Sequence, residues 1–93
     1  MPGIVRLGDI SAGHCFFPRP NIEGSDNVFI NGIPVHLLGM KWPTHCCGPI
    51  CHDSVTSQAS DNTFCNGLGV TRIGDSQSCG DMAAEGSADT FCN

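Results

Sequence analysis

The sequence predicts a small, mostly β protein in which three short hairpin-like repeats surround a pseudo-threefold axis. Three observations support this fold class. The composition favours tight turns and short strands, two short segments each occur three times, and His and Cys residues follow one of these segments at nearly constant spacing. We expect residues 1–93 to form a single domain, because a chain of this length supports one modest core.

The composition is rich in turn formers and poor in charge. The chain contains 12 Gly, 6 Pro, 7 Cys and 4 His, and only 14% of its residues are charged. A hydrophobic content of 40% argues against disorder. The formal net charge of −5 gives no electrostatic basis for binding nucleic acid, and no apolar run has the length of a membrane span.

Two half-units alternate along the chain. The first half-unit occurs as Val5-Arg6-Leu7-Gly8-Asp9, Val35-His36-Leu37-Leu38-Gly39-Met40 and Val70-Thr71-Arg72-Ile73-Gly74-Asp75. The second occurs as Gly24-Ser25-Asp26-Asn27-Val28-Phe29-Ile30-Asn31-Gly32, Ala59-Ser60-Asp61-Asn62-Thr63-Phe64-Cys65-Asn66-Gly67 and Gly86-Ser87-Ala88-Asp89-Thr90-Phe91-Cys92-Asn93. Threefold internal repetition of this density predicts an architecture of three equivalent units.

Each unit has the pattern of a short hairpin. Asn31-Gly32 and Asn66-Gly67 are strong tight-turn signals, because both residues tolerate positive φ. One such unit is too small to bury its apolar face alone, whereas three around an axis can do so. We expect core packing for the equivalent phenylalanines, Phe29, Phe64 and Phe91.

Several His and Cys residues fit structural roles. Cys65 and Cys92 occupy the slot that Ile30 fills in the first unit, so we expect them in the core. Cys15, which lies beside two phenylalanines, is expected to pack likewise. His36 falls in the slot of Val5 or Thr71, where a structural or exposed histidine is more common than a ligand.

A candidate metal site follows the first half-unit. His14 and His45 lie six residues after Gly8 and Gly39, and Cys79 lies five residues after Gly74. A pseudo-threefold arrangement brings these three loops together at one end. A structural zinc takes four Cys or His ligands in a tetrahedron.

The fourth ligand comes from the long second loop, Thr44 to His52. We predict His52, which completes the set His14, His45, His52 and Cys79. The alternatives are Cys46, Cys47 and Cys51 in the same loop, which we otherwise interpret as small, half-buried residues. Four protein ligands leave no position open for water, so the predicted Zn²⁺, one per chain, is structural and not catalytic.

These segments resemble the PAAR-repeat family. In that family an Asn-Gly turn precedes a Pro-Ala-Ala-Arg-like segment, and Gly-Asp follows it. The central copy here is degenerate, reading Pro34-Val35-His36-Leu37 with Met40 in place of Asp, while Gly8-Asp9 and Gly74-Asp75 keep the pattern. The resemblance covers nearly the whole chain and implies a short cone with a three-sided base and zinc near the vertex, held by three His and one Cys.

The resemblance also implies a function. The base docks on the blunt end of a trimeric β-helical spike, so that one monomer sharpens a membrane-piercing needle that transiently contacts a target outer membrane. Such spikes are the central spike of contractile phage tails and the VgrG-like spike of type VI secretion systems. The chain ends at Asn93 without the toxin extension of larger members, and from this we expect a phage baseplate component, made in the host cytoplasm and carried in the virion. Secretion through a type VI system is the alternative.

Three other function classes remain as rivals. A zinc hydrolase needs an open coordination position and a carboxylate base, for which Asp53 is the candidate. A zinc-dependent binding module for nucleic acid is disfavoured by a total of four Lys and Arg. A disulfide-rich secreted domain is disfavoured by the odd number of cysteines and by an N-terminus without an apolar signal core.

Overall fold

The computed structural model of the chain describes residues 1–13, 15 and 18–93. It is mostly β, as predicted, and the described residues contain no helix that is long and apolar enough to cross a membrane. Within these ranges the strands form three antiparallel pairs, β1 with β2, β3 with β4 and β5 with β6. The strands are β1 (Phe29–Ile30), β2 (Ile33–Pro34), β3 (Lys41–Cys47), β4 (Ile50–Val55), β5 (Phe64–Cys65) and β6 (Leu68–Gly69).

The two short hairpins turn at the Asn-Gly pairs, as predicted. Asn31 and Gly32 have φ of 56° and 75°, and Asn66 and Gly67 have φ of 54° and 79°. A two-residue turn that matches the twist of the flanking strands, the type I′ turn, needs positive φ at both central residues. Asn and Gly adopt this conformation at low cost. The third hairpin-like unit is completed by the two ends of the chain, where Phe91 pairs with Gly3.

A ring of backbone hydrogen bonds marks the pseudo-threefold axis. Val5 N–H donates to Thr71 O at 2.9 Å, Thr71 N–H donates to His36 O at 3.1 Å, and His36 N–H donates to Val5 O at 3.0 Å. All three residues are fully buried. Equivalent residues of three repeats therefore bond to one another cyclically, which confirms the predicted architecture.

The end of each hairpin-like unit is hydrogen-bonded to a neighbouring repeat. Asn31 Nδ2 donates to Asp89 Oδ1 at 3.0 Å, and Asn66 Nδ2 donates to Asn27 Oδ1 at 2.9 Å. The third contact joins the hydroxyl of Ser60 to the carbonyl oxygen of Asn93. Each repeat is thus tied to a neighbour by an asparagine, which in the first two units also shapes the turn.

The central repeat replaces an ion pair with an apolar pair. Arg6 Nε donates to Asp9 Oδ2 at 3.0 Å, and the same carboxylate oxygen accepts the Arg6 backbone N–H at 2.8 Å. Arg72 and Asp75 repeat this arrangement. In the central copy the Leu37 N–H faces the sulfur of Met40 at 3.3 Å. The degenerate motif therefore changes both members of the pair together.

The main core surrounds the axis. Cys92 is buried in it and the half-buried Cys65 packs against it, as predicted. The buried members of this core are Ile4, Val35, Leu37, Val70 and Cys92.

The prediction that the three phenylalanines pack in the core was wrong. Phe29, Phe64 and Phe91 are 55%, 58% and 46% exposed. Successive strand residues face opposite sides, and the residue after each phenylalanine occupies the inward side. Three equivalent side chains share the narrow space at the axis, which favours residues such as Ile30 and cysteine over a phenyl ring.

A polar network joins the long β3–β4 hairpin to the axis. Trp42 Nε1 donates to Thr56 Oγ1 at 2.8 Å, and Thr56 Oγ1 lies 2.8 Å from His36 Nε2. His36 Nδ1 lies 2.7 Å from Glu23 O, which only accepts, so Nδ1 carries the proton and Nε2 accepts the Thr56 hydroxyl. Burial lowers the pKa of His36 and keeps the ring neutral. His36 is structural, as the sequence indicated.

Candidate metal centre

The β3–β4 hairpin brings two predicted ligands together. The sequence suggested a loop from Thr44 to His52, but this segment belongs to two paired strands joined at Gly48, whose φ is 61°. His45 and His52 are direct cross-strand partners, so their side chains share one face. Their Nε2 atoms lie 2.8 Å apart.

Cys79 approaches this face from another part of the chain. The Gly80 N–H donates to Gln77 O at 3.0 Å, and Gly80 has a φ of 95°, so the backbone turns tightly around Cys79. The Ser78 N–H donates to Val55 O at 2.8 Å and fastens this turn to β4. Cys79 Sγ then lies 3.9 Å from His45 Nε2.

Three of the four predicted ligands therefore form a cluster. The ligand atoms of His45, His52 and Cys79 all lie within 4.8 Å of one another. His14 lies outside the described residues. Its neighbour Gly13 donates a backbone hydrogen bond to Asp81 Oδ1 at 2.8 Å.

The donor atoms fit a tetrahedral metal. Ordinary zinc bond lengths place two imidazole nitrogens about 3.3 Å apart and a nitrogen and a thiolate sulfur about 3.6 Å apart. The observed separations of 2.8 Å and 3.9 Å deviate from these values by a few tenths of an ångström. Imidazole and thiolate donors also match the chemistry that zinc prefers.

The remaining cysteines of the hairpin form disulfides. Cys46 pairs with Cys51 across the hairpin, and Cys47 pairs with Cys15. Cys46 and Cys51 are cross-strand partners adjacent to the His45–His52 pair, so their side chains lie on the opposite face. Cys46 and Cys47 are half-buried, as predicted, but they and the exposed Cys51 lie in strands and not in a loop. The predicted core position of Cys15 was wrong, because Cys15 is exposed. In disulfides, Cys46, Cys47 and Cys51 offer no thiolate to a metal.

Two buried polar residues beside Cys79 were missed by the sequence reasoning. Gln77 and Asp81 are each nearly inaccessible to solvent. Asp81 Oδ2 lies 3.9 Å from His45 Nδ1, and Gln77 Oε1 lies 3.7 Å from Cys79 Sγ. The alternation of polar residues on either side of a predicted ligand is the signal that could have found them.

Comparison with protein families identifies this architecture. The family model for the PAAR motif matches residues 18–85, which include all six strands and the three clustered ligands. The chain belongs to the PAAR family. The comparison with curated proteins gave no match.

Membership of the PAAR family sets the biological context. PAAR proteins are structural tips of the spikes of contractile injection systems, including type VI secretion systems, and this chain is assigned to such a tip. PAAR motifs bind metal, in agreement with the His45, His52 and Cys79 cluster.

Proposed function

We propose that this PAAR protein is a single domain of residues 1–93 that caps a trimeric β-helical spike, the central spike of a phage tail baseplate. The observation that carries the proposal is the cyclic hydrogen bonding of Val5, His36 and Thr71. One chain thereby presents three equivalent units, which is the symmetry needed to match a trimer.

The three exposed phenylalanines are the proposed anchors on the spike. Phe29, Phe64 and Phe91 stand at the same position of the three units and are about half exposed. Repeated exposed aromatic side chains are unusual on a solvent-facing surface and typical of binding surfaces. A trimeric partner provides three identical sites for them.

Docking is tested by replacing the three phenylalanines with serine. We expect the triple variant to keep its fold but lose co-purification with the trimeric spike protein of the same phage or secretion locus. The matched control replaces Ile22 and Ile50, which are 57% and 64% exposed, with serine. Retained binding by the phenylalanine variant, or equal loss by the control, would contradict the proposal. Co-purification with a type VI spike instead of a phage spike would show that the protein belongs to a type VI secretion system.

The proposed metal is one structural Zn²⁺ held by His14, His45, His52 and Cys79. The second apolar cluster is small, with Val5, Trp42 and Ala83 as its members, so the hairpin end has little core of its own. Metal binding in small domains supplies folding free energy on the order of 10 kcal/mol. Four protein ligands fill the coordination sphere, which supports a mechanical role in place of catalysis.

Elemental mass spectrometry of protein purified without added zinc tests this centre. We expect one zinc per wild-type chain and a large loss in Cys79→Ser, together with a lower unfolding temperature. Cys65→Ser is the matched control, since Cys65 is also a free, half-buried cysteine but packs against the main core. A folded, metal-free wild type, or equal zinc in both variants, would refute the metal assignment.

A further inference from the structure

The orientation of the Gln77 side chain leaves a buried polar group unsatisfied. Its Oε1 accepts the Ser54 hydroxyl at 2.6 Å and faces Cys79 Sγ at 3.7 Å, while Nε2 has no hydrogen-bond partner among the described residues. A buried N–H group without a partner costs on the order of 1–3 kcal/mol. Gln77 is 3% exposed, so this nitrogen is shielded from bulk solvent.

Rotation of the amide by a half turn gives the buried N–H groups acceptors when Cys79 binds a metal. The nitrogen then takes the place of the oxygen, because the two atoms are nearly equivalent in shape. One N–H points to Ser54 Oγ and the other to Cys79 Sγ. A metal-bound cysteine is a thiolate, which accepts hydrogen bonds and repels a carbonyl oxygen.

Asp81 lies beside the ligand His45, as Gln77 lies beside the ligand Cys79. His45 directs Nε2 toward His52 and Cys79, and its other nitrogen, Nδ1, lies 3.9 Å from Asp81 Oδ2. The second carboxylate oxygen accepts the backbone N–H of Gly13 and of Met82, each at 2.8 Å. A carboxylate on the far nitrogen of a metal-binding histidine fixes the tautomer that leaves Nε2 free to coordinate.

We propose that Gln77 and Asp81 are positioning residues of the metal centre, with Gln77 donating a hydrogen bond to the Cys79 sulfur and Asp81 orienting the His45 ring. The inference rests on the metal centre proposed above. The turn from Gln77 to Asp81 thus supplies one ligand and, at the alternate positions on either side, the groups that hold two ligands in place.

Cobalt(II) is the probe, because it enters tetrahedral zinc sites and its thiolate charge-transfer band reports on the sulfur. Gln77→Glu keeps the shape but removes the donor and adds a negative charge. We expect metal affinity, measured by chelator competition, to fall about 10- to 100-fold. We also expect the band to shift to lower energy, because an N–H donor stabilises the sulfur electrons. Gln77→Met, of similar length and without polar atoms, gives the same test should the buried carboxylate prevent folding.

Asp81→Asn separates the second role from the first. The asparagine keeps the acceptor for the Gly13 and Met82 N–H groups and removes the charge near His45. We expect affinity to fall at least about 10-fold while the thiolate band stays in place, since Asp81 acts through histidine. Asp75→Asn is the control for losing a buried carboxylate elsewhere, and the exposed Gln58→Glu is the control for the glutamine change. Both controls are expected to bind cobalt as the wild type does.

The outcomes distinguish the two proposals. An unmoved band in both Gln77 variants, or unchanged affinity in Asp81→Asn, overturns the corresponding positioning role while the metal centre stands. A wild-type protein without a thiolate charge-transfer band overturns the ligand assignment of Cys79, and both proposals fail with it.

Discussion

The Thr56 hydroxyl is the hydrogen-bond partner of two buried side chains, so its removal tests the polar network between the β3–β4 hairpin and the axis. It accepts the Trp42 indole N–H and donates to His36 Nε2. Thr56→Val keeps the shape of the side chain and removes both contacts. Trp42 and His36 are buried, so we expect neither to gain a water molecule as a substitute in the variant.

The expected loss follows from the two orphaned groups. Each buried, unsatisfied polar group costs about 1–3 kcal/mol, so the two groups orphaned in Thr56→Val should lower the free energy of unfolding by about 2–6 kcal/mol. For a domain of this size each kcal/mol corresponds to about 4–8 °C in the melting temperature.

Thr71→Val is a matched control with the opposite expectation. Thr56 and Thr71 are 2% and 0% exposed, but Thr71 Oγ1 has no hydrogen-bond partner among the described residues. Valine already occupies the equivalent position in the first repeat, at Val5. We therefore expect Thr71→Val to leave the free energy of unfolding unchanged or to raise it, by at most about 3 kcal/mol.

Denaturant titration followed by fluorescence measures both variants, because Trp42 is the chain's single tryptophan and lies beside the altered group. Zinc is kept saturating so that metal content does not vary. A loss below about 0.5 kcal/mol in Thr56→Val, or equal losses in the two variants, would refute the network as described.

Two further predictions concern buried groups of the central repeat. Because burial lowers the pKa of His36 below its usual 6.5, only the unfolded chain takes up the proton as the pH falls below that value. Below pH 6.5 the free energy of unfolding should therefore decrease by up to about 1.4 kcal/mol per pH unit, and less steeply in His36→Gln. Chemical denaturation measures this at pH values where both proteins keep their metal. Met40→Asp and Leu37→Arg should each destabilise the protein, because each leaves a charge without a partner at a half-buried or buried position. A double-mutant cycle should show favourable coupling of at least about 1 kcal/mol between them, because together they rebuild the pair that Arg6 and Asp9 form.

The sequence predicted the repeated parts of the fold well. Periodic recurrence identified the three units, and Asn-Gly chemistry identified the turns, because both signals are local. The inward position of Cys65 and Cys92 followed from their alignment with Ile30. Spacing from a repeated glycine predicted His45 and Cys79, and the long second loop supplied His52; the structure brings these three together.

The sequence could not predict features that depend on distances between repeats. Alternation shows that Phe29 and Ile30 face opposite sides, but it does not say which side is the core. The β3–β4 hairpin was missed because its strands contain Cys, His, Pro and Asp in place of an alternating apolar pattern. The disulfide between Cys15 and Cys47 joins segments that only the folded chain brings together.

The cyclic hydrogen bonds of Val5, His36 and Thr71 have a consequence for how the chain folds. Each of these residues bonds to a different repeat, so an isolated repeat has no partner for its central segment. The pairing of Gly3 with Phe91 further requires the closure of a loop that spans nearly the whole described chain. Such long-range closure is slow and is stabilised only when it is complete. Folding should therefore proceed as one cooperative event that begins after the last repeat has left the ribosome.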